Sequence, residues 1–165
     1  MATTAVGPAF VPKADSGARI VAAFIDSLIA LPFGMIGFIP IIGQIISTTL
    51  LVPYWLFRDV GGGSIGKRIF GLRVVDYDGR IAPLGKRVRR NMLFGFSAFL
   101  MALPIIGEFA APAAFLIVSI IEVILMASRG ERMGDRDAKC LVVKKSALAV
   151  DAGRALEPAR TPARS

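Results

Sequence analysis

Two carboxylates in this chain stand where ionisable groups are costly. Asp26 is the only charged residue between Arg19 and Arg58. Glu122 lies in an equally long interval, Arg90 to Arg129, that contains no lysine or arginine and only one other acid, Glu108. On a helix, Asp26 follows Arg19 by two turns and about 10 Å of rise, and Glu122 precedes Arg129 by the same amount. An aspartate at the centre of a membrane helix costs about 2.5–3.5 kcal/mol on insertion scales, so it must be protonated, paired or facing water. Two readings stay open. In the first, Asp26 and Glu122 face each other, share a proton and carry H+ or a monovalent cation. In the second, each fixes helix packing through a hydrogen bond or an ion pair.

Other chemistries lack their residues. Histidine is absent, which removes the Ser-His-Asp triad, and the single Cys140 removes an internal disulfide framework and a Cys/His zinc site. Gly61-Gly62-Gly63-Ser64-Ile65-Gly66-Lys67 matches seven positions of a phosphate-binding loop. The eighth is Arg68, where the magnesium-binding Ser or Thr belongs, and no strand clearly precedes the glycines. The expectation is a non-enzyme with no cofactor and no metal, its glycine-rich loop acting as a lid or docking element.

The elements around these residues are membrane spans. The chain has 165 residues, 55% of them hydrophobic, and a formal net charge of +8; its mean hydropathy is +0.64. A single helix from Arg19 to Arg58 would be about 58 Å long, roughly twice a ~30 Å hydrocarbon core, so the interval must be two passes and a turn. Ile39-Pro40-Ile41-Ile42-Gly43-Gln44 supplies the break. The motif Pro40-Ile41-Ile42-Gly43-Gln44 recurs as Pro104-Ile105-Ile106-Gly107-Glu108, where the second interval must turn. The expected fold is therefore an all-α membrane protein of four transmembrane helices in two hairpins, about 18–39, 41–57, 84–103 and 111–128. Pro32 is expected to kink the first helix. Tyr54-Trp55 suit the headgroup level at the end of the second. Gln44 and Glu108 are expected as solvated ends at the outer turns.

Between the hairpins, Arg58 to Arg90 holds nine Lys or Arg and three Asp. Ile69 to Val75 is β-prone, Asp78-Gly79 is a turn signal, and Leu72-Arg73-Val74-Val75 is mirrored by Cys140-Leu141-Val142-Val143, so a small cytoplasmic β element is expected. Residues 1–17 read as a flexible leader, 18–145 as the membrane domain and 146–165 as a disordered tail. Every lysine and arginine lies at or before Arg19, in the central segment Arg58 to Arg90, or from Arg129 onward, which puts both termini in the cytoplasm. The basic residues bracket apolar spans, which favours the bilayer and its anionic headgroups as partners over nucleic acid. Four short helices enclose little space, pointing to a homo-oligomer or a larger membrane complex. Arg19 is expected as a snorkelling interfacial anchor or as a partner of Asp135.

Arg19 opening the first helix, Asp26 within it, the segment Gly63-Ser64-Ile65-Gly66-Lys67-Arg68-Ile69-Phe70-Gly71-Leu72-Arg73-Val74-Val75-Asp76, and Asp135-Arg136 before Val142-Val143 together resemble the RDD family of bacterial membrane proteins. The resemblance covers roughly Ser16 to Lys144. It implies a triad of Arg19, Asp26 and Asp135, with Asp137 as the competing choice for the last. It also implies roles for Gly66, Lys67, Gly71 and Arg73 in the cytoplasmic loop, and a bacterial inner-membrane location. Many relatives read Ala-Gly-Thr where this chain has Ala138-Lys139-Cys140. Ion or proton transport is suggested for some members; the other function class is a non-catalytic accessory or assembly subunit of a membrane complex.

Overall fold

The computed structural model describes residues 13–148. The expected leader up to residue 12, and the expected tail beyond residue 148, lie outside the described residues. Two α-hairpins stand side by side on a thin layer of short helices and one two-stranded sheet. The first comprises α1 (Ser16–Ile36) and α2 (Ile42–Phe57), followed by α3 (Ile65–Ile69) and β1 (Leu72–Asp76). The second comprises α4 (Leu84–Arg89), α5 (Met92–Phe99) with a 3-10 turn at Leu100–Ala102, and α6 (Gly107–Arg129), followed by α7 (Met133–Asp137) and β2 (Cys140–Lys144).

Local chemistry sets the ends. Asp15 caps α1 by accepting from the Ala18 amide at 3.0 Å, and Ser64 caps α3 by accepting from the Lys67 amide. Gly130, left-handed at φ 67°, closes α6. At the far end of each hairpin a single isoleucine makes the turn. Ile41 has φ 65° and ψ −71°, and the Ile42 amide reaches back to the Pro40 carbonyl at 2.8 Å. Ile105 has φ 67°, and the Ile106 amide reaches the Pro104 carbonyl at 2.7 Å. These are γ-turns of the rare positive-φ hand, strained for a β-branched residue. Both are stabilised by a glycine just after: a Cβ on Gly43 would overlap the Ile36 carbonyl, and one on Gly107 the Leu100 carbonyl.

The expected helix 84–103 is broken. Arg90 and Asn91 form a turn between α4 and α5 because both side chains are drawn inward, 1% and 0% exposed, to bind acids beneath the bundle. The fourth helix starts earlier than expected, at Gly107, with Pro112 tolerated inside it. Residues 13–15 are not a loose leader: Lys13 bridges Val143, and the Ala14 amide bonds to the Val142 carbonyl at 2.8 Å. Trp55 is not a headgroup anchor either. It is 2% exposed and stacked on Phe94 with ring centroids 5.3 Å apart, in the cluster of Ala30, Leu51, Phe94 and Ala98 that forms the bundle core. Gln44, 3% exposed, is a buried partner of Glu108 at 3.3 Å, not a solvated end.

Among the described residues two helices, α1 and α6, are long and apolar enough to cross a membrane. The runs Ile42–Phe57 and Met92–Ala102 are apolar but shorter.

The two halves repeat the same plan. β1 and β2 pair antiparallel about Val74↔Val142. The bridge Lys13↔Val143 is matched by Ile81↔Val75, and the bond from Ala14 to Val142 by one from Ala82 to Val74. Gly66 presses on the Ala22 carbonyl as Gly134 presses on the Arg90 carbonyl. The left-handed Gly71 is matched by Lys139, φ 53°, which therefore stands where glycine costs least. Gln44 and Glu108, equivalent residues of the two turns, bond to each other. A pseudo-twofold axis thus runs from that contact to the centre of the sheet, along the helices.

Candidate functional site

A layer of buried charge separates the apolar bundle from the sheet. Asp135, on α7, is its hub. Its Oδ2 takes the Arg19 guanidinium, and its Oδ1 takes Arg90 Nη2 at 2.6 Å and Arg132 Nη2 at 3.4 Å. None of the four is more than 5% exposed. Arg19 also donates from Nη1 to the Gly130 carbonyl at 2.7 Å, so it is tied into the protein, not snorkelling to an interface. Burial pushes the Asp135 carboxyl up, but Arg90, Arg132 and Arg19 outweigh it and hold the group below the usual carboxylate range. Asp137, the competing aspartate, lies outside this layer and pairs with Arg89 on the surface at 2.7 Å.

Asp59 is the second hub and is fully buried. Its Oδ1 accepts from Lys67 Nζ at 2.6 Å and from the Ser64 amide at 2.9 Å, and its Oδ2 accepts from Asn91 Nδ2 at 3.0 Å. Arg90 Nε lies 3.8 Å from the same Oδ2, so one guanidinium spans both hubs. Burial raises the Asp59 carboxyl, yet Lys67, Arg90 and Arg58 together bring it well below its ordinary value. Arg58 donates to Asn91 Oδ1 and lies over the rings of Trp55 and Phe94, 4.7 and 4.9 Å from their centroids, joining the charged layer to the aromatic core.

The loop residues are framework. Lys67 is 6% exposed and committed to Asp59. Gly66 allows α3 to touch α1, Gly71 makes the turn into β1 at φ 62°, and Arg73 Nη1 donates to the Gly61 carbonyl at 2.6 Å.

Asp26 and Glu122 differ from the hubs. Asp26, 1% exposed, accepts from the Gly66 amide at 2.9 Å through Oδ1, while Oδ2 has no hydrogen-bond partner. The Tyr54 hydroxyl bonds to its backbone carbonyl, not to the carboxylate. Glu122, 4% exposed, accepts from the Gly134 amide at 3.4 Å through Oε1; its Oε2 lacks a hydrogen bond and lies 3.8 Å from Arg132 Nε. Each carboxylate is thus held by the short helix of a different repeat. Of the expected triad, the fold joins Arg19 to Asp135 and anchors Asp26 separately on α3.

Sequence reasoning missed Asp59, Arg90, Asn91 and Arg132. Arg58 and Arg90 were visible as the ends of the basic-free intervals. Nothing local distinguishes an arginine that ends a span in water from one that turns back under it.

Two apolar α-hairpins tied by buried arginine–aspartate pairs define a small helical domain of membrane-associated type. The sequence model of the RDD family matches residues 41–139, more than half of the chain, and the protein belongs to that family. The match includes Asp59, Arg90, Glu122 and Asp135 and begins after Arg19 and Asp26. No curated protein and no solved structure matches the chain.

Proposed function

We propose that this RDD protein crosses a bacterial inner membrane four times, both termini in the cytoplasm, and moves H+ or a monovalent cation by exchange at Asp26. The observation that carries this is the Asp26 carboxylate itself. Among the described residues it has no cationic partner, one oxygen rests on a backbone amide and the other has no donor, at 1% exposure. A buried carboxylate with one oxygen free of donors is placed to bind a proton or a cation. Asp59 and Asp135, saturated by arginine and lysine, are the framework that positions α3 and α7 beneath the bundle. Glu122, with one oxygen near Arg132, is the second exchange group. The chemistry needs no catalytic residue or cofactor. The exposed basic residues of the inner layer suit anionic lipid headgroups.

Purified protein in liposomes tests this. Wild type should move protons when a gradient of Na+, K+ or Li+ is imposed. Asp26→Asn, which keeps shape and hydrogen bonding but cannot ionise, should abolish the flux while elution on gel filtration is unchanged. Wild-type liposomes that show no proton movement with any of these cations would decide against transport.

One observation favours the second reading, a non-catalytic subunit of a homo-oligomer or larger membrane complex. Beyond Asp26, toward the hairpin turns, the cavity between α1 and α6 is lined by apolar side chains and three serines, a poor path for an ion. On that reading Asp26→Asn lowers the amount of assembled complex and there is no flux to lose.

A further inference from the structure

The pseudo-twofold axis relates α1 to α5 and α2 to α6, so the α1–α6 seam is the counterpart of the α2–α5 seam. The two are not alike. The α2–α5 seam is filled: Trp55 stacks on Phe94, and Leu56 sits against Gly95 so closely that a Cβ there would overlap it. Helices α1 and α6 meet mainly at their inner ends, where the Ser16 hydroxyl donates to the Met126 carbonyl and Arg19 to that of Gly130. Toward the hairpin turns they part, leaving a cavity of about 620 Å³. Gly34 and Met35 of α1 and Pro112 and Leu116 of α6 form its walls, with Leu51 and Ala98 behind.

The lining excludes a hydrated or charged occupant. Its polar side chains are three serines, Ser27, Ser97 and Ser119, and the first two already spend their hydroxyls on the Ala23 and Leu93 carbonyls. The cavity extends from Ser27 to Met35 on α1 and from Ala111 to Ser119 on α6, about 12 Å at 1.5 Å per residue. That is most of the ~15 Å of hydrocarbon one leaflet supplies. Its rim, Leu31, Met35, Phe38 and Leu116, is exposed and continuous with the apolar perimeter of α1 and α6. In a membrane the medium at that rim is acyl chain. Shape, depth, polarity and opening all match one such chain.

We infer that the open α1–α6 seam is a lateral lipid site. It takes one acyl chain of a phospholipid from the leaflet on the side of the hairpin turns, replacing the aromatic filling of the equivalent seam. This rests on the membrane placement proposed above but not on ion movement.

The test is photo-crosslinking in nanodiscs of phosphatidylglycerol and phosphatidylcholine carrying a diazirine near the end of one acyl chain. Adducts should concentrate on peptides containing residues 31–38 and 111–119. Gly34→Phe should reduce them several-fold, since the Gly34 Cβ position meets only Leu51 Cδ1, at 4.0 Å, and a ring there projects into the cavity. Ser119→Leu should do the same, and the perimeter control Ile120→Phe should not. Adducts spread evenly over the outer faces of all helices would mean annular lipid only and overturn the site. Zero-length cross-links between α1 and α6 of different copies would mean that a second copy fills the seam, and would also overturn it. Failure of the protein to incorporate into nanodiscs would sink the membrane placement itself, a result separate from either.

Discussion

Replacing Asp135 by Asn removes the charge that three buried arginines share while keeping the shape of the side chain. Arg19, Arg90 and Arg132 would be left at 5%, 1% and 5% exposure without their common counter-charge. Arg90 retains Asp59 at 3.8 Å and Arg132 retains Glu122 at 3.8 Å, so the deficit falls mainly on Arg19. Removing one partner of a buried pair costs about 3–5 kcal/mol. For a chain of this size that is roughly 6–20 °C in melting temperature, at about 2–4 °C per kcal/mol. Asp137→Asn is the internal control: its pair with Arg89 is 52% and 61% exposed and screened by solvent, so its loss should barely move the melting temperature. The assay is thermal unfolding of purified protein in one detergent, followed by the intrinsic fluorescence of Trp55, which sits in the bundle core. The double variant Arg19→Gln with Asp135→Asn should recover part of the loss, because the uncompensated guanidinium goes too. Equal melting temperatures for Asp135→Asn and Asp137→Asn would refute the hub and leave Asp135 and Asp137 indistinguishable.

The glycines beneath the two hairpins should be intolerant in parallel: Gly66→Ala and Gly134→Ala each force a Cβ into a backbone carbonyl and should cost about 1–3 kcal/mol, whereas Gly85→Ala, which meets nothing within 4 Å, should be neutral or slightly stabilising in the same melts. Lys139→Gly, relieving a left-handed lysine, should raise the melting temperature by a few degrees. Acid should unfold the protein through Asp59 and Asp135. Both are held below the usual carboxylate range when folded, so their contribution is complete above about pH 4 and is lost as pH falls further through their folded values; Asp135→Asn should flatten that acid limb. Orientation is tested with single cysteines in a Cys140→Ala background. Ile39→Cys and Ile106→Cys, exposed at the hairpin turns, should react with an impermeant thiol reagent added outside intact cells, while Tyr77→Cys should not, and the reverse pattern would invert the topology.

Hydropathy and turn chemistry are local, and so the residues alone reveal much of the plan. Two basic-free apolar intervals, each broken at a Pro-Ile-Ile-Gly motif, specify two hairpins, and paired Leu/Cys-x-Val-Val segments specify the strands between and after them. The same pattern specifies that Asp26 and Glu122 lie inside those intervals. What the chain order could not decide is which charges meet. Arg19 finds Asp135 and Arg90 bridges Asp59 to Asp135 across long stretches of sequence, and only folding of α3 and α7 back under the helices brings them together. The same inward pull breaks the expected 84–103 helix at Arg90-Asn91, where the basic stretch meets the apolar one. Trp55 follows the same rule: its side chain suits an interface, but Phe94 stacks on it from the other hairpin. An ion pair or a stacked ring depends on two positions at once, whereas periodicity and capping depend on one stretch. That is why the hairpins are legible in the sequence and the buried charge layer is a product of the tertiary structure.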